Sequence, residues 1–261
     1  MLLCLDIGNS QIFGGVYDNH ELKATFRRTS SIRASSDEFA IFFRAVLREN
    51  EVEPDGLRMA AICSVVPDAV HSLRSCFRKY FRFEPFVLQP GVKTGLKIRY
   101  RNPLEVGADK IANAIGGLTR FPGKNLLIVD FGTATTLCAV TREKEYLGGI
   151  ITPGIHMSMA ALESKTARLP SVEIIRPPEV LGRSTVESIQ SGLYHGTLAT
   201  MRALTALVTE EQFAKEKPLI LGTGAFGRLF ENEQLFDAFV PELPLIGLRR
   251  AIELSELEAK K

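Results

Sequence analysis

The sequence predicts an α/β protein made of two related halves, and three observations carry that reading. The segment Leu2–Tyr17, LLCLDIGNSQIFGGVY, reads as a strand, a tight polar turn and a return strand, and it recurs without a gap as Leu126–Thr141, LLIVDFGTATTLCAVT. Laying Asp6 on Asp130 also lays Leu2, Leu3, Gly8 and Val16 on Leu126, Leu127, Gly132 and Val140. Second, helical and strand-like runs alternate after each hairpin, as layered α/β architecture requires. Third, the apolar run Leu219–Leu221 enters Gly222-Thr223-Gly224, a turn suited equally to phosphate binding and to close helix packing. The first hairpin tip joins a carboxylate, a glycine and two small hydrogen-bonding side chains, which can bring backbone N–H groups and a metal-binding carboxylate to a phosphate chain. Two ordinary buried hairpins are the alternative, and they leave each Asp without a task.

A chain of 261 residues accommodates one large domain or two of ordinary size. The duplication favours two, 1–120 and 121–261, divided within or just before the turn FPGKN at Phe121–Asn125. A content of 45% hydrophobic and 24% charged residues is ordinary for a soluble protein with an ample core. The net charge of +2 implies no general nucleic-acid surface. In Arg74–Arg82, aromatic residues alternate with basic ones, but with Val70 and Leu73 they fall on a helical period and read as the end of an amphipathic helix. Of the four cysteines, Cys4, Cys63 and Cys138 lie in apolar strand-like runs, and none pairs with another as C-x-x-C. A disulfide framework is therefore not expected, and a reducing cytoplasm fits best. The N-terminus enters a strand directly, so no targeting segment is expected, and no apolar run approaches the roughly 18 residues of a membrane span. His20, His71, His156 and His195 lack metal-ligand spacing.

The elements follow in order. Glu21–Arg28 continues the first hairpin as a meander, and Ser30–Ser36 is a polar loop. Ser35 with Glu38 forms a capping box for a helix to about Asn50, striped by Phe39, Phe42, Phe43, Val46 and Leu47. Met59–Val66 is a buried strand, Pro67 opens a helix, and Pro85–Leu88 is a short strand. Gln89–Val106 is loop-rich, and Gly107–Arg120 is a helix with Ile111, Ile115 and Leu118 on one face. In the second half Glu145–Ile151 is a strand, and Thr152-Pro153-Gly154 opens a helix to about Thr166. Ala167–Arg183 is irregular, and Ser184 with Glu187 forms a second capping box for a helix to about Val208. Gly222-Thr223-Gly224 leads into a further helix, and Leu248–Ala259 is an amphipathic helix closing the second domain.

Six ordered segments, taken together, resemble a known family. They are DIGNSQI at Asp6–Ile12, NPLEVGADKIANAIG at Asn102–Gly116, DFGTATT at Asp130–Thr136, GGIITPGI at Gly148–Ile155, TARLP at Thr166–Pro170 and GRSTVESIQSGLYHG at Gly182–Gly196. They resemble type III pantothenate kinases, within the actin, sugar kinase and heat-shock ATPase superfamily. The resemblance implies two duplicated actin-like (ribonuclease H-like) domains with a nucleotide cleft between them. It implies ATP-dependent phosphorylation of the primary hydroxyl of pantothenate, the first step of coenzyme A synthesis. It further implies a homodimer, a divalent cation such as Mg²⁺, and activation by K⁺ or NH₄⁺.

Carried over residue by residue, the resemblance makes Asp109 the catalytic group that orients or deprotonates the hydroxyl. Read from the residues alone, Asp109 is equally a helix-start carboxylate favoured by the macrodipole. The resemblance gives Asp6 to Mg²⁺ and the phosphates, with Ile7, Gly8, Asn9, Ser10, Gln11, Ile12 and Phe13 lining the phosphate loop. Asp130 is given to the monovalent cation and Thr133 to ATP. Tyr100, Gly107, Ala108 and Lys110 match pantothenate-contacting positions, and Thr185 a contact supplied from the neighbouring subunit. By position alone Thr185 is a first-turn residue beside its cap.

Three departures stand out. The family usually reads GADR where this chain reads GADK; Lys110 keeps the charge but loses the planar two-pronged donor. Ser10 and Gln11 stand where Thr and Asn are usual. The late turn reads GTGA where TGG is more typical.

Overall fold

The computed structural model describes residues 1–30 and 34–259, so the loop expected over Ser30–Ser36 lies partly outside the described residues. The chain forms two compact units, Met1–Arg120 with Leu243–Lys261, and Phe121–Glu242.

The first unit contains β1 (Leu2–Ile7), β2 (Gln11–Asp18), β3 (Glu21–Thr29), β4 (Met59–Ser64), β5 (Phe86–Leu88) and the two-residue β6 (Lys97–Ile98). Its sheet runs β3-β2-β1-β4-β5, with β1 antiparallel to β2 and parallel to β4. Leu3, Cys4, Leu5 and Ile7 of β1 are completely buried, as a central strand covered on both faces requires. β3 lies at the edge and alternates exposed side chains with half-buried ones and the buried Phe26. The helices are α1 (Ser36–Glu49), α2 (Pro67–Cys76) and α3 (Ala108–Arg120). Both bonds of the Ser35–Glu38 capping box form, and Pro67 occupies the first turn of α2. Phe39 and Phe77 stack on Phe43 from either side in the core.

The second unit contains β7 (Leu126–Phe131), β8 (Ala134–Val140), β9 (Glu145–Pro153), β10 (Leu219–Thr223) and β11 (Ala238–Phe239), with α4 (Ile155–Lys165) and α5 (Thr185–Phe213). Its strands run β9-β8-β7-β10-β11, with β7 antiparallel to β8 and parallel to β10. The order and sense of these five strands match those of the first unit's five. A register irregularity even falls one aligned position apart, at Val16/Tyr17 and at Ala139/Val140. The duplication therefore extends from the hairpin to the whole sheet.

α6 (Leu243–Ala259) follows the second unit in the chain but belongs to the first, whereas the sequence places 121–261 together. Close backbone approach explains the difference. A Cβ on Gly116 would strike the Leu243 carbonyl, and one on Gly247 the Ala112 carbonyl, so α6 lies directly on α3. Leu245 reaches Gly15 of β2, and the Arg249 guanidinium stands 5.5 Å over the Tyr17 ring. α6 also begins at Leu243, earlier than the apolar period of the sequence suggests.

Three further details differ from expectation. α5 continues to Phe213, because Thr209–Gln212 contains no helix breaker. The Ser184 side chain caps the Glu187 N–H, but the Glu187 carboxylate accepts from the Arg183 N–H, so the second capping box is only half made. The turn after β10 leads into 3-10 geometry over Gly227–Glu233, not an α-helix.

Candidate active site

In the first unit, the carboxyl ends of β1 and β4 and the amino end of α3 carry the chemistry. The Gly8 N–H donates to the Gln11 carbonyl at 2.9 Å and closes the hairpin tip; the Ser30 N–H donates to the Ser10 carbonyl at 2.9 Å and ties the tip to β3. Asn9, Ser10 and Gln11 are consequently held with their side chains in solvent. Ile7, Ile12 and Phe13 turn into the core, so they can meet a ligand only through backbone atoms; the Arg27 guanidinium covers the Phe13 ring at 3.9 Å.

Asp6 is partly buried, and the Cys63 thiol donates to its Oδ1 at 3.2 Å. Burial pushes that thiol well above its ordinary pKa, the Asp6 carboxylate adds to the rise, and Asp109 contributes a smaller share. The thiol is thus kept protonated beside the Asp6 carboxylate.

Asp109 stands in the first turn of α3, where the helix dipole favours a carboxylate. Its Oδ2 accepts from the Lys110 ammonium at 3.3 Å, while its Oδ1 is buried and hydrogen-bonded to no described group. A Cβ on Gly107 would fall on that same oxygen, so glycine is what lets the carboxylate lie back over the helix start. Ala108 is buried, Lys110 is partly buried, and Tyr100 lies partly exposed on the segment leading to the helix. Asp6 is hydrogen-bonded to the buried Cys63 thiol, and Tyr100, Gly107, Ala108, Asp109 and Lys110 belong to the same unit.

The second unit repeats the strand-end carboxylate. Asp130 lies at the end of β7, in register with Thr136 and Thr223. Glycines enclose its turn. A Cβ on Gly154 would meet the Gly132 and Thr133 carbonyls, and one on Gly224, whose φ is +89°, would meet Asp130 Oδ1 and the Phe131 backbone. The Gly154 N–H donates to the Thr133 carbonyl at 3.2 Å. Thr185 opens α5 exposed to solvent and lines a cavity of about 1130 Å³ with Met157, Leu162, Leu169, Arg183 and Leu193.

Among the described residues no group of three His, Cys, Asp or Glu side chains could hold a metal ion alone. A cation bound by one or two carboxylates and substrate phosphates, the usual arrangement for Mg²⁺ in phosphoryl transfer, needs no such group; the buried open oxygen of Asp109 fits a polar ligand beside it. The Asp130 carboxylate and the Gly132 and Thr133 carbonyls belong to one glycine-lined turn and are oxygen atoms of the kind a hard cation takes.

The sequence reading missed Cys63, taking it as a small hydrophobe; its parallel register opposite Asp6 appears only once β1 and β4 are paired. Gly154 was read as a helix opener, and its approach to the Asp130 turn has no local signal.

Two sheets that share a five-strand order, each with a strand-end carboxylate beside a glycine turn, define the actin and sugar kinase fold. Solved structures of that fold include the activator of 2-hydroxyisocaproyl-CoA dehydratase from Clostridium difficile with bound ADPNP, at 10% identity and TM-score 0.51, covering 100% of this chain and 97% of that one. Component A of (R)-2-hydroxyglutaryl-CoA dehydratase from Acidaminococcus fermentans is similar at 12% identity and TM-score 0.52, covering 100% and 99%. The chain belongs to the type III pantothenate kinase family, whose family model matches residues 2–206. Relatives named type III pantothenate kinase share 54% identity in Legionella pneumophila strain Corby, over 96% of this chain and 98% of theirs. In Elusimicrobium minutum the figure is 44%, over 97% and 98%.

Proposed function

We propose that this chain transfers the γ-phosphoryl group of ATP to the primary hydroxyl of pantothenate, giving 4′-phosphopantothenate in the first step of coenzyme A synthesis. The observation that carries the reading is Asp109, whose buried Oδ1 is open while Lys110 occupies Oδ2. Such transfer is catalysed mainly by positioning and by neutralising charge, with one group to orient the nucleophile. In this reading Asp109 accepts the hydroxyl proton as the new O–P bond forms and the bond to ADP breaks. The Lys110 ammonium faces the pantothenate carboxylate, and Tyr100, Gly107 and Ala108 shape the pocket. Asp6 and the Gly8–Phe13 tip face the phosphates, with Ile7, Ile12 and Phe13 contributing backbone only. A divalent cation such as Mg²⁺, held by Asp6 and phosphate oxygens, supplies charge neutralisation.

Thr133 contacts ATP, and Asp130 with its turn carbonyls holds K⁺ or NH₄⁺. Thr185 serves the pantothenate site of the neighbouring subunit in a homodimer. Among the described residues no helix is long and apolar enough to cross a membrane.

The test is pantothenate-dependent ADP release by the whole chain and by Asp109→Asn. Loss of a positioned base lowers turnover by about 10²–10⁴-fold, with the melting temperature unchanged. Normal turnover in the variant overturns the role of Asp109. Phosphorylation of another small alcohol in place of pantothenate overturns the substrate.

A further inference from the structure

We propose that Cys63 is a positioning residue for the phosphoryl transfer: its thiol hydrogen bond fixes the rotation of the Asp6 carboxylate and so aims that carboxylate at the metal and phosphates. The inference rests on the reading of Asp6 as the metal- and phosphate-facing carboxylate.

The geometry is built into the sheet. Asp6 and Cys63 are directly opposed in the parallel β1–β4 pair, so their side chains leave the same face about 4.8 Å apart. Cys63 is also in register with Leu88 of β5, which fixes its backbone from the other side. The Sγ–Oδ1 distance of 3.2 Å is a hydrogen bond for sulfur, with the thiol donating. Cys63 is completely buried, so water cannot stand in for the donor; Asp6 is only partly buried and keeps access to solvent. A carboxylate that meets a metal through one oxygen needs its other oxygen held, because free rotation about the Cβ–Cγ bond spreads the ligand over many orientations. Mere filling of space would be served by alanine or valine at position 63, which carry no donor.

The experiment uses the full chain as wild type, Cys63→Ala, Cys63→Ser and Asp6→Asn. Two readouts are taken: the Mg²⁺ concentration for half-maximal phosphorylation, and calorimetric binding of ATP with and without Mg²⁺. Losing the partner of a metal-facing carboxylate costs about 10–100-fold in metal affinity. The expected result for Cys63→Ala is a rise of that size in the Mg²⁺ requirement and weaker ATP binding with Mg²⁺ only. The KM for pantothenate and metal-free ATP binding stay unchanged, and Cys63→Ser, which restores a donor, recovers most of the loss. The proposal is overturned if Cys63→Ala keeps the wild-type Mg²⁺ dependence while Asp6→Asn loses it. It is equally overturned if Ala and Ser variants are impaired alike with lowered melting temperatures, since that marks a packing role. If Asp6→Asn itself keeps the wild-type Mg²⁺ dependence, the assignment of Asp6 fails first and the role of Cys63 falls with it.

Discussion

Gly247 of α6 rests against the carbonyl of Ala112 in α3 so closely that a single methyl group on Gly247 would overlap it. The contact lies one turn beyond Asp109, on the helix that carries the proposed base. Gly247→Ala is expected to push the two helices apart and to destabilise the protein by about 1–3 kcal/mol, the usual cost of overpacking. Thermal melting checks the prediction, and turnover should fall with it because α3 shifts. An unchanged melting temperature would mean that the helices separate freely.

Lys110 should govern one substrate and not the other. Removing a charged hydrogen bond costs about 1.5–3 kcal/mol, or roughly 10–100-fold in affinity. Lys110→Met is therefore expected to raise the KM for pantothenate within that range and to leave the KM for ATP nearly unchanged. Lys110→Arg restores the planar donor and should bind pantothenate at least as well as wild type. Equal effects on both KM values would remove Lys110 from the pantothenate site.

Gly224 combines a left-handed φ of +89° with the absence of room for a side chain beside Asp130. Gly224→Ala is expected to cost about 1–3 kcal/mol in backbone strain and to displace the Asp130 carboxylate. Titrating activity with K⁺ should then require several-fold more of the cation. A variant with the parent K⁺ curve would detach this turn from cation binding.

Two thiols predict the alkaline limit. Burial pushes the Cys76 thiol up to about 12 and holds the Cys4 thiol above its ordinary range. Each stays protonated in the folded chain where the unfolded thiol, with a pKa of about 8.5, ionises. Unfolding therefore releases protons above that pH. Stability is fully present below it and falls by about 1.4 kcal/mol per pH unit for each thiol as pH rises towards the folded values. Urea unfolding at pH 8 and pH 10 measures the slope, which should shrink in Cys76→Ala.

Much of this fold was legible because local and global signals agree. The repeated hairpins declared themselves through a shared pattern of Leu, Asp, Gly and Val, and five strands of each sheet turn out to share one order. The Ser35 cap and Pro67 marked helix starts by chemistry that acts within one turn. What stayed hidden depends on distant partners. The placement of α6 is decided by packing, and Gly116 and Gly247 acquire meaning only when their helices touch. Among the candidate residues, Asp6, Asp109 and Asp130 were visible as carboxylates beside glycines. Cys63 was not, because an apolar strand hides a donor until the neighbouring strand supplies its acceptor.

The placement of α6 also bears on how the protein is made. The first unit opens the chain, yet the helix that lies on α3 is translated only after Glu242. The nascent first unit cannot complete its contact with α3 until the whole of Phe121–Glu242 has been synthesised. The half begun first is thus finished last.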